Sequence, residues 1–421
     1  MTDLARNMTR IGHLDMPGGG QVVVENGYAF IGHMKPPYGT SIVDVRDPKH
    51  PKVVSTINLD DDASHTHKVR VAGDLMITNV EMNERHFLRK SEKLPEAYAK
   101  LGDDASDADI AAEISVDAAD IPRLKRHLET GYHDGGFKLW DIADRANPKL
   151  LHHERTHGFG VHRFDMDERY AYISTEMAGF LGNILVIYDI ADPAHPTEVS
   201  RWWMDGQHIA AGEKPFWQGY KNRLHHAMRE GNELWAAVWN AGIRVLDVSD
   251  ITNPNVIGEH DYHPPAPEPT HTVLPVRRPI GDRRIAVAVD EEHEHVRGQP
   301  HGGLWIFDVT DISDFKPLST FHVGDLDSPW SRTGIKGMRF GAHQFQEHLD
   351  TTLVYCAWFA GGVRIVDLKN PSLPEEVGFF IPEPVAGQPA PQTNDIDVDP
   401  DGLIYTIDRL NGFDILAFEG A

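Results

Sequence analysis

A short strand-like motif containing aspartate recurs along the chain, and this repeat constrains the fold more than any other feature of the sequence. Each copy is a β-rich run followed by a turn, which often carries Asp-Pro or Asn-Pro. Aspartate and proline are typical of turns between strands, so we interpret the repeated aspartates as structural. The copies occupy residues 41–45, 138–142, 186–190, 244–248, 305–309 and 364–368, with a degenerate seventh copy at 414–418.

The spacing of the copies predicts a β-propeller. The repeated aspartates from Asp141 to Asp367 follow one another at intervals of 48 to 61 residues, which is enough chain for four short strands per repeat. The last copy ends before a fourth strand, and residues 10–16 resemble the missing strand, so the two chain ends would complete one blade. The predicted fold is an all-β, single-domain, seven-bladed β-propeller over residues 1–421, closed by the N-terminal strand.

The second blade is longer than the others, because Asp44 and Asp141 are 97 residues apart. Residues 83–132 contain stretches rich in Ala, Leu, Glu and Lys, which favour helix. We predict that this segment is a helical insertion between the second and third strands of blade 2. Loops at that position share a propeller face with the starts of the innermost strands, so we expect the insertion to act as a lid or pocket wall.

The copies Ser-Ile-Val-Asp-Val at 41–45 and Arg-Ile-Val-Asp-Leu at 364–368 resemble the signature of the LVIVD-repeat β-propellers. More distantly, the chain resembles the selenium-binding protein and methanethiol oxidase group, whose members are histidine-bearing propellers. The resemblance covers nearly the whole chain. It implies a propeller fold and leaves the chemistry open.

Histidine is unusually frequent, with 25 residues in the chain, and five histidines fall near the predicted start of the innermost strand in successive blades. Strand starts converge on the axis of a propeller, where unpaired imidazoles are costly to bury and a metal ion can bind three or four of them. A structural alternative is the hydrogen-bond network of tryptophan-aspartate-repeat propellers, although three of the five blades lack the required tryptophan. The predicted metal ligands are His67, His162, His226, His271 and His343.

The predicted cofactor is a divalent transition metal. Fe(II) is favoured because an all-imidazole site with open positions suits oxygen activation, and Zn, Mn and Cu are alternatives. Five histidines exceed a four-histidine site, so one would orient a ligand or contact substrate, and which four bind is left open. Carboxylates at the ends of second strands would orient the imidazoles or act as general acid or base. These predicted catalytic residues are Glu81, Glu176 and Asp290. Glu291, Asp408 and Arg409 lie at equivalent strand ends, although we interpret the run at 291–295 as a solvated loop.

Composition argues against several classes of function. The chain carries 40 basic and 64 acidic residues, for a net charge of −24, so it lacks the basic footprint of a nucleic-acid or anionic-membrane binder. No signal-type or membrane-spanning run is present, which predicts a cytoplasmic protein. Nucleotide-binding and Gly-x-Ser-x-Gly motifs are absent, and the single cysteine, Cys356, lies inside an apolar run, so covalent catalysis is disfavoured.

The predicted function is therefore that of a metal-dependent, oxygenase-like oxidoreductase acting on a small apolar or aromatic molecule. One alternative is a hydrolase or lyase that uses the metal as a Lewis acid and a carboxylate as base. A second alternative is a non-catalytic binding module. The sequence leaves the identity of the substrate and the oligomeric state open.

Overall fold

The computed structural model describes residues 3–293, 298–331, 337–385 and 387–420. Antiparallel sheets, most of them four-stranded, make up most of this part of the chain and give it a β-propeller-like fold. Several apolar clusters draw buried side chains from more than one sheet, as expected of sheets that pack face to face.

The N-terminal strands β1 (Leu4–Arg6) and β2 (Met8–Pro17) join sheets formed by the C-terminal part of the chain. The next sheet has its strands in chain order: β3 (Gly19–Glu25), β4 (Tyr28–His33), β5 (Tyr38–Asp44) and β6 (Lys52–Asn58).

A nine-stranded sheet follows. Its first half contains β7 (Ser64–His65), β8 (Val69–Ala72), β9 (Leu75–Met82), β10 (Gly136–Asp141) and β11 (Lys149–Arg155). Its second half contains β12 (His157–Met166), β13 (Tyr170–Glu176), β14 (Asn183–Asp189) and β15 (Thr197–Trp202). The pairing of Gly160 with Glu81 joins the two halves.

The remaining sheets also run largely in chain order. Two are formed by β16 (His226–Glu230), β17 (Glu233–Ala237), β18 (Ile243–Asp247) and β19 (Asn255–His260), and by β20 (Thr270–Pro275), β21 (Ile285–Asp290), β22 (Leu304–Asp308) and β23 (Lys316–Phe321). The others are formed by β24 (Gln344–Phe345), β25 (Leu353–Trp358), β26 (Gly362–Asp367) and β27 (Glu375–Ile381) with β1, and by β28 (Thr393–Val398), β29 (Leu403–Asp408) and β30 (Asn411–Phe418) with β2.

The helices of the predicted insertion lie between β9 and β10, within residues 83–132. They pack around an apolar cluster of their own that includes Leu94, Ile110 and Leu124. The segment contains α1 (Arg85–Leu88), α2 (Leu94–Leu101), α3 (Asp107–Ile114) and α4 (Ile121–Thr130), with 3₁₀ turns at Arg89–Lys93 and Ala118–Asp120. Another 3₁₀ turn lies at Ile209–Ala211.

The repeated aspartates end strands and shape the turns that follow, which confirms their structural interpretation. Asp141 accepts a hydrogen bond from the backbone N–H of Ala143 (2.9 Å), and Asp367 accepts one from Lys369 (2.9 Å). This contact to the residue two positions on is the Asx turn expected of aspartate after a strand. The same contact recurs at Asp44, Asp189, Asp247 and Asp308.

The single cysteine, Cys356, is fully buried within β25. Burial raises the pKa of its thiol, so the thiolate that would act as a nucleophile is disfavoured.

Candidate metal centre

Strands β12 and β20 each carry a β-bulge that redirects one side chain. His162 in β12 and His271 in β20 lie at positions that the strand pairing skips. His225 lies directly before β16, and its backbone N–H donates to the carbonyl of Ala237 (2.8 Å), the residue that also pairs with His226. Bulges commonly re-aim side chains next to functional sites, and here they turn successive imidazoles toward one another.

Six imidazoles form a continuous row, which we call the histidine cluster. Neighbouring ring centroids along the row are 4.3 to 5.3 Å apart. The cluster consists, in order, of His65, His67, His162, His225, His271 and His343. Four of the five predicted ligands are therefore brought together.

His226, the fifth predicted ligand, lies outside the row, and its neighbour His225 occupies the place predicted for it. Arg163 Nε donates to Nδ1 of His226 (3.1 Å), and Nε2 lies 3.2 Å from the carbonyl oxygen of Phe164. The difference arises because β16 begins only at His226, so the side chain that joins the row comes from the residue before the strand, one position earlier than we expected. Both ring nitrogens of His226 are engaged by the protein.

Three imidazoles of the cluster are oriented through their Nδ1 atoms. Nδ1 of His225 lies 2.8 Å from the carbonyl oxygen of His271, and Nδ1 of His271 lies 2.8 Å from Oε1 of Gln344. Nδ1 of His343 is hydrogen-bonded to the carbonyl oxygen of Asn394. Since carbonyl oxygens only accept, each Nδ1 carries the proton and each Nε2 is unprotonated, which is the tautomer of histidines that bind metals through Nε2.

Those Nε2 atoms lie around the carboxylate of Glu291. The distances from Glu291 oxygens to Nε2 of His271 and of His343 are 4.0 and 3.8 Å. Nε2 of His225 lies 3.1 Å from Nε2 of His162. Two atoms bound to one ion at about 2.1 Å each lie roughly 3.0 to 4.2 Å apart, so these separations fit a shared ion. One ligand atom from each of His225, His271 and Glu291 lies within 4.8 Å of the others.

A second group of possible ligands lies at the other end of the row. His65, His67 and Glu81 also place ligand atoms within 4.8 Å of one another. Glu81 is 1% exposed and lies 2.9 Å from Nε2 of His65 and 3.1 Å from Nδ1 of His162. It also forms an ion pair with Arg85 at the start of α1. Of the three predicted catalytic carboxylates, Glu81 is the one within hydrogen-bond distance of the cluster.

The other two predicted catalytic residues have different surroundings. Glu176 pairs with Arg89 of the helical insertion and accepts a hydrogen bond from the backbone N–H of Phe159 (3.2 Å). Asp290 accepts hydrogen bonds from Nε1 of Trp305 (2.7 Å) and the hydroxyl of Tyr262 (3.1 Å), and burial raises its pKa to about 8. The next residue, Glu291, occupies the place at the cluster, because alternation along the chain sends neighbouring side chains in opposite directions.

Three members of the cluster, His65, His67 and His162, line a cavity of about 190 Å³, which we call the histidine cavity. Four arginines and three glutamates lie in its wall, and Glu84, Arg85 and His86 come from the helical insertion. The lining residues are Met34, His65, His67, Glu81, Met82, Glu84, Arg85, His86, His162, Arg223, Trp239, Glu291, His293, Arg339 and Arg409.

Burial keeps the imidazoles of the histidine cluster neutral. Burial lowers the pKa of His65 to about 3 and lowers the pKa of the other five cluster imidazoles well below the usual value. Burial works to raise the pKa of Glu291, but His293 and Arg339 hold it well below its usual range. Neutral imidazole and ionised carboxylate are the protonation states that metal binding requires.

Sequence reasoning missed His65 and His225, and it placed Glu291 both among the carboxylates at strand ends and in a solvated loop. The interpretation of 291–295 as a solvated loop is wrong for Glu291 and Glu292, which are 7% and 1% exposed, while residues 294 and 295 lie outside the described residues. A signal for His225 existed in the His225-His226 pair, since either residue could have filled the position.

Comparison with known proteins supports the repeat and the fold. The LVIVD repeat model matches residues 165–203, 230–261 and 353–380. A chain from the "Crystal Structure of Mitotic Checkpoint Complex" is similar to this one with a TM-score of 0.54 and 9% identity, over 97% of this chain and 94% of that chain. At that identity the likeness concerns the fold alone.

Two further comparisons complete the picture. The "computationally designed Ika8 protein" aligns with a TM-score of 0.49 and 7% identity, over 96% of this chain and 98% of that chain. A search of curated proteins gives no match.

Within the described residues, every helix is too short or too polar to cross a lipid bilayer. The chain thus has a β-propeller-like fold that carries LVIVD repeats.

Proposed function

We propose that this protein is a metal-dependent oxidoreductase whose metal ion is bound by the histidine cluster, beside the histidine cavity. The observation that carries the proposal is the convergence of His225, His271 and Glu291, with His343 and His162 beside them. Two imidazoles and one carboxylate are the ligands typical of non-haem Fe(II) oxygenases, so Fe(II) is the ion we favour. Bound there, Fe(II) would supply redox chemistry with dioxygen.

The residues around that group have roles that follow from their contacts. Gln344 and the carbonyl oxygens of His271 and Asn394 hold the imidazoles in the tautomer that binds metal. Arg339 pairs with Glu291 and restrains its carboxylate. Arg85 and His86, from the helical insertion, cover part of the cavity and limit the access of water.

The alternative function is a metal-dependent hydrolase or lyase, and the position of Glu81 favours it. Its carboxylate is buried beside His65 and His162, in hydrogen-bond distance of both, where it could accept a proton from a bound water or substrate. Oxygen consumption separates the two functions, because only the oxidoreductase consumes dioxygen.

We also propose that the sheets close into a seven-bladed propeller. Splitting the nine-stranded sheet at the Gly160–Glu81 contact leaves seven groups of strands, if the short β7 and β8 count as one broken strand; six have four strands, and the seventh has a fifth strand, β1, at its edge. The pairing of β2 with β30 would then close the ring. A cytoplasmic location and the more distant kinship with the selenium-binding protein group stay predictions.

His225 and His226, which are adjacent in blade 4, allow the metal site to be tested. Protein prepared without oxygen and reconstituted with Fe(II) should hold about one ion per chain, by elemental analysis. His225→Ala and His271→Ala should lower that content at least about tenfold, because each removes a ligand. His226→Ala is the matched control and should keep the metal, since its ring nitrogens face Arg163 and Phe164.

The histidine cluster would not be a metal site if the wild-type protein held no metal. The same would follow if His225→Ala and His271→Ala both kept full metal occupancy. Loss of metal from His226→Ala alone would show that the ligand set is wrong. Oxygen uptake by Fe(II)-loaded protein in the presence of small aromatic compounds then tests the hypothesis that the protein is an oxidoreductase.

A further inference from the structure

The charges in the wall of the histidine cavity do not balance. Arg85 pairs with Glu81, and Arg339 pairs with Glu291. The third glutamate of the wall, Glu84, pairs with Arg123 outside it. Arg223 and Arg409 remain in the same wall, and each carries a charge that the described residues do not pair. Because Arg remains charged even when partly buried, the cavity has an excess of positive charge before any metal binds.

The guanidinium of Arg223 is held in place by an aromatic face. Its Cζ lies 4.6 Å from the ring centroid of Trp239, and one nitrogen donates to the carbonyl oxygen of Tyr220 (2.8 Å). Its other donors have no hydrogen-bond partner among the described residues. Stacking on an aromatic ring leaves the edge of the guanidinium free for a ligand and reduces its mobility.

Arg409 is similarly placed at the end of β29. Its Cζ lies 5.7 Å from the ring centroid of Phe359, and its Nε is buried without a hydrogen-bond partner. The described part of the chain offers no acceptor for the rest of this guanidinium either. A buried donor without a partner costs free energy that a bound acceptor would recover.

We propose that Arg223 and Arg409 bind the carboxylate of a small organic acid in the histidine cavity. Guanidinium and carboxylate match in a planar, two-bond geometry. Met34, Met82 and Trp239 in the same wall would contact the apolar body of such an acid. The inference rests on the proposed function for what happens to the acid, and it narrows the substrate class to carboxylates.

The test is calorimetric titration of the metal-free protein with benzoate, benzamide and inorganic phosphate. Benzamide has the shape of benzoate without its charge, so benzoate should bind at least about tenfold more tightly. Phosphate should bind more weakly than benzoate. Arg223→Gln and Arg409→Gln should each lower the affinity for benzoate about tenfold, whereas Arg169→Gln should not change it, because Arg169 pairs with Asp189 on the exterior.

A second pair of variants, Arg223→Lys and Arg409→Lys, keeps the test valid if the glutamine variants do not fold. They keep the charge but lose the planar fork, so they should fold as the wild type does and bind benzoate less well. The proposal would be overturned if the wild type did not bind benzoate, bound benzamide equally well or preferred phosphate. It would also be overturned if substitution of neither Arg223 nor Arg409 changed the affinity for benzoate. Because metal is absent throughout, these outcomes are independent of the metal content measured for the proposed function.

Discussion

At the scale of single residues, His348 lies between two carboxylates. Its Nδ1 is 2.8 Å from Asp350 and its Nε2 is 3.4 Å from Asp397. Hydrogen bonding to Asp397, reinforced by Asp350, raises the pKa of His348 to about 9 from a usual value of 6.5. A group whose pKa rises on folding stabilises the folded state below its unfolded pKa, and the contribution is lost as the pH rises through the folded pKa.

We therefore expect His348→Gln to be less stable than the wild type by about 1 kcal/mol at pH 6. The difference should shrink between pH 6.5 and pH 9 and vanish above pH 9. Urea unfolding of both proteins at pH 6, 8 and 9.5 measures it. His50→Gln is the control, since the pair of His50 with Asp47 is largely exposed and worth little. A difference that stays constant with pH would contradict the assignment.

The cluster illustrates how far single residues can be predicted from sequence. The repeat predicted correctly that His162, His271 and His343 lie together, because the spacing of the motif indicates where the first strand of each repeat begins. It could not decide between His225 and His226, since a β-bulge adds one residue and reverses which side chain faces the axis. The same alternation separates Asp290 from Glu291, so choosing the wrong one of two adjacent residues is the characteristic error.

At the scale of elements, the helical insertion is fixed to the sheets through Arg89. Its Cζ lies 4.0 Å from the ring centroid of Phe159 and 3.8 Å from that of Tyr220, and its guanidinium pairs with Glu176. Composition was sufficient to predict helices in this segment, because Ala, Leu, Glu and Lys favour helix. It was not sufficient to predict this contact, since the partners lie in distant parts of the sequence.

Arg89→Ala should loosen the insertion without unfolding the sheets. Loss of the two ring contacts and the ion pair should raise amide hydrogen exchange in residues 85–130 about tenfold. Exchange measured by mass spectrometry should be unchanged in the sheets. Arg126→Ala, an exposed position on α4, is the matched control and should leave exchange as it is. Equal effects of both substitutions, or increased exchange throughout the chain, would show that Arg89 does not fix the insertion.

At the scale of the whole molecule, the two ends of the chain share a sheet. β2 pairs with β30 from Met8 opposite Phe418 to Pro17 opposite Asn411. The resemblance of residues 10–16 to a missing fourth strand was visible in the sequence, because the last repeat ended early. The exact register was not, since it depends on the two irregularities in this pairing.

Deletion of residues 1–17 should expose β30 as an unpaired edge. We expect the thermal midpoint to fall by at least about 5 °C and the protein to associate at high concentration. Deletion of residues 1–6 removes only β1, which pairs with β27, and should have a smaller effect. Calorimetry and size-exclusion chromatography compare the two. A monomeric 1–17 deletion with an unchanged midpoint would contradict a stabilising role for β2.

The burial of Cys356 has a practical consequence. The folded chain offers maleimide reagents no accessible thiol of its own. A cysteine introduced at an exposed position of the insertion, such as Arg126, would therefore take up a fluorophore selectively, with the native cysteine left in place. The emission of such a dye could report how the surroundings of the insertion change when a ligand binds.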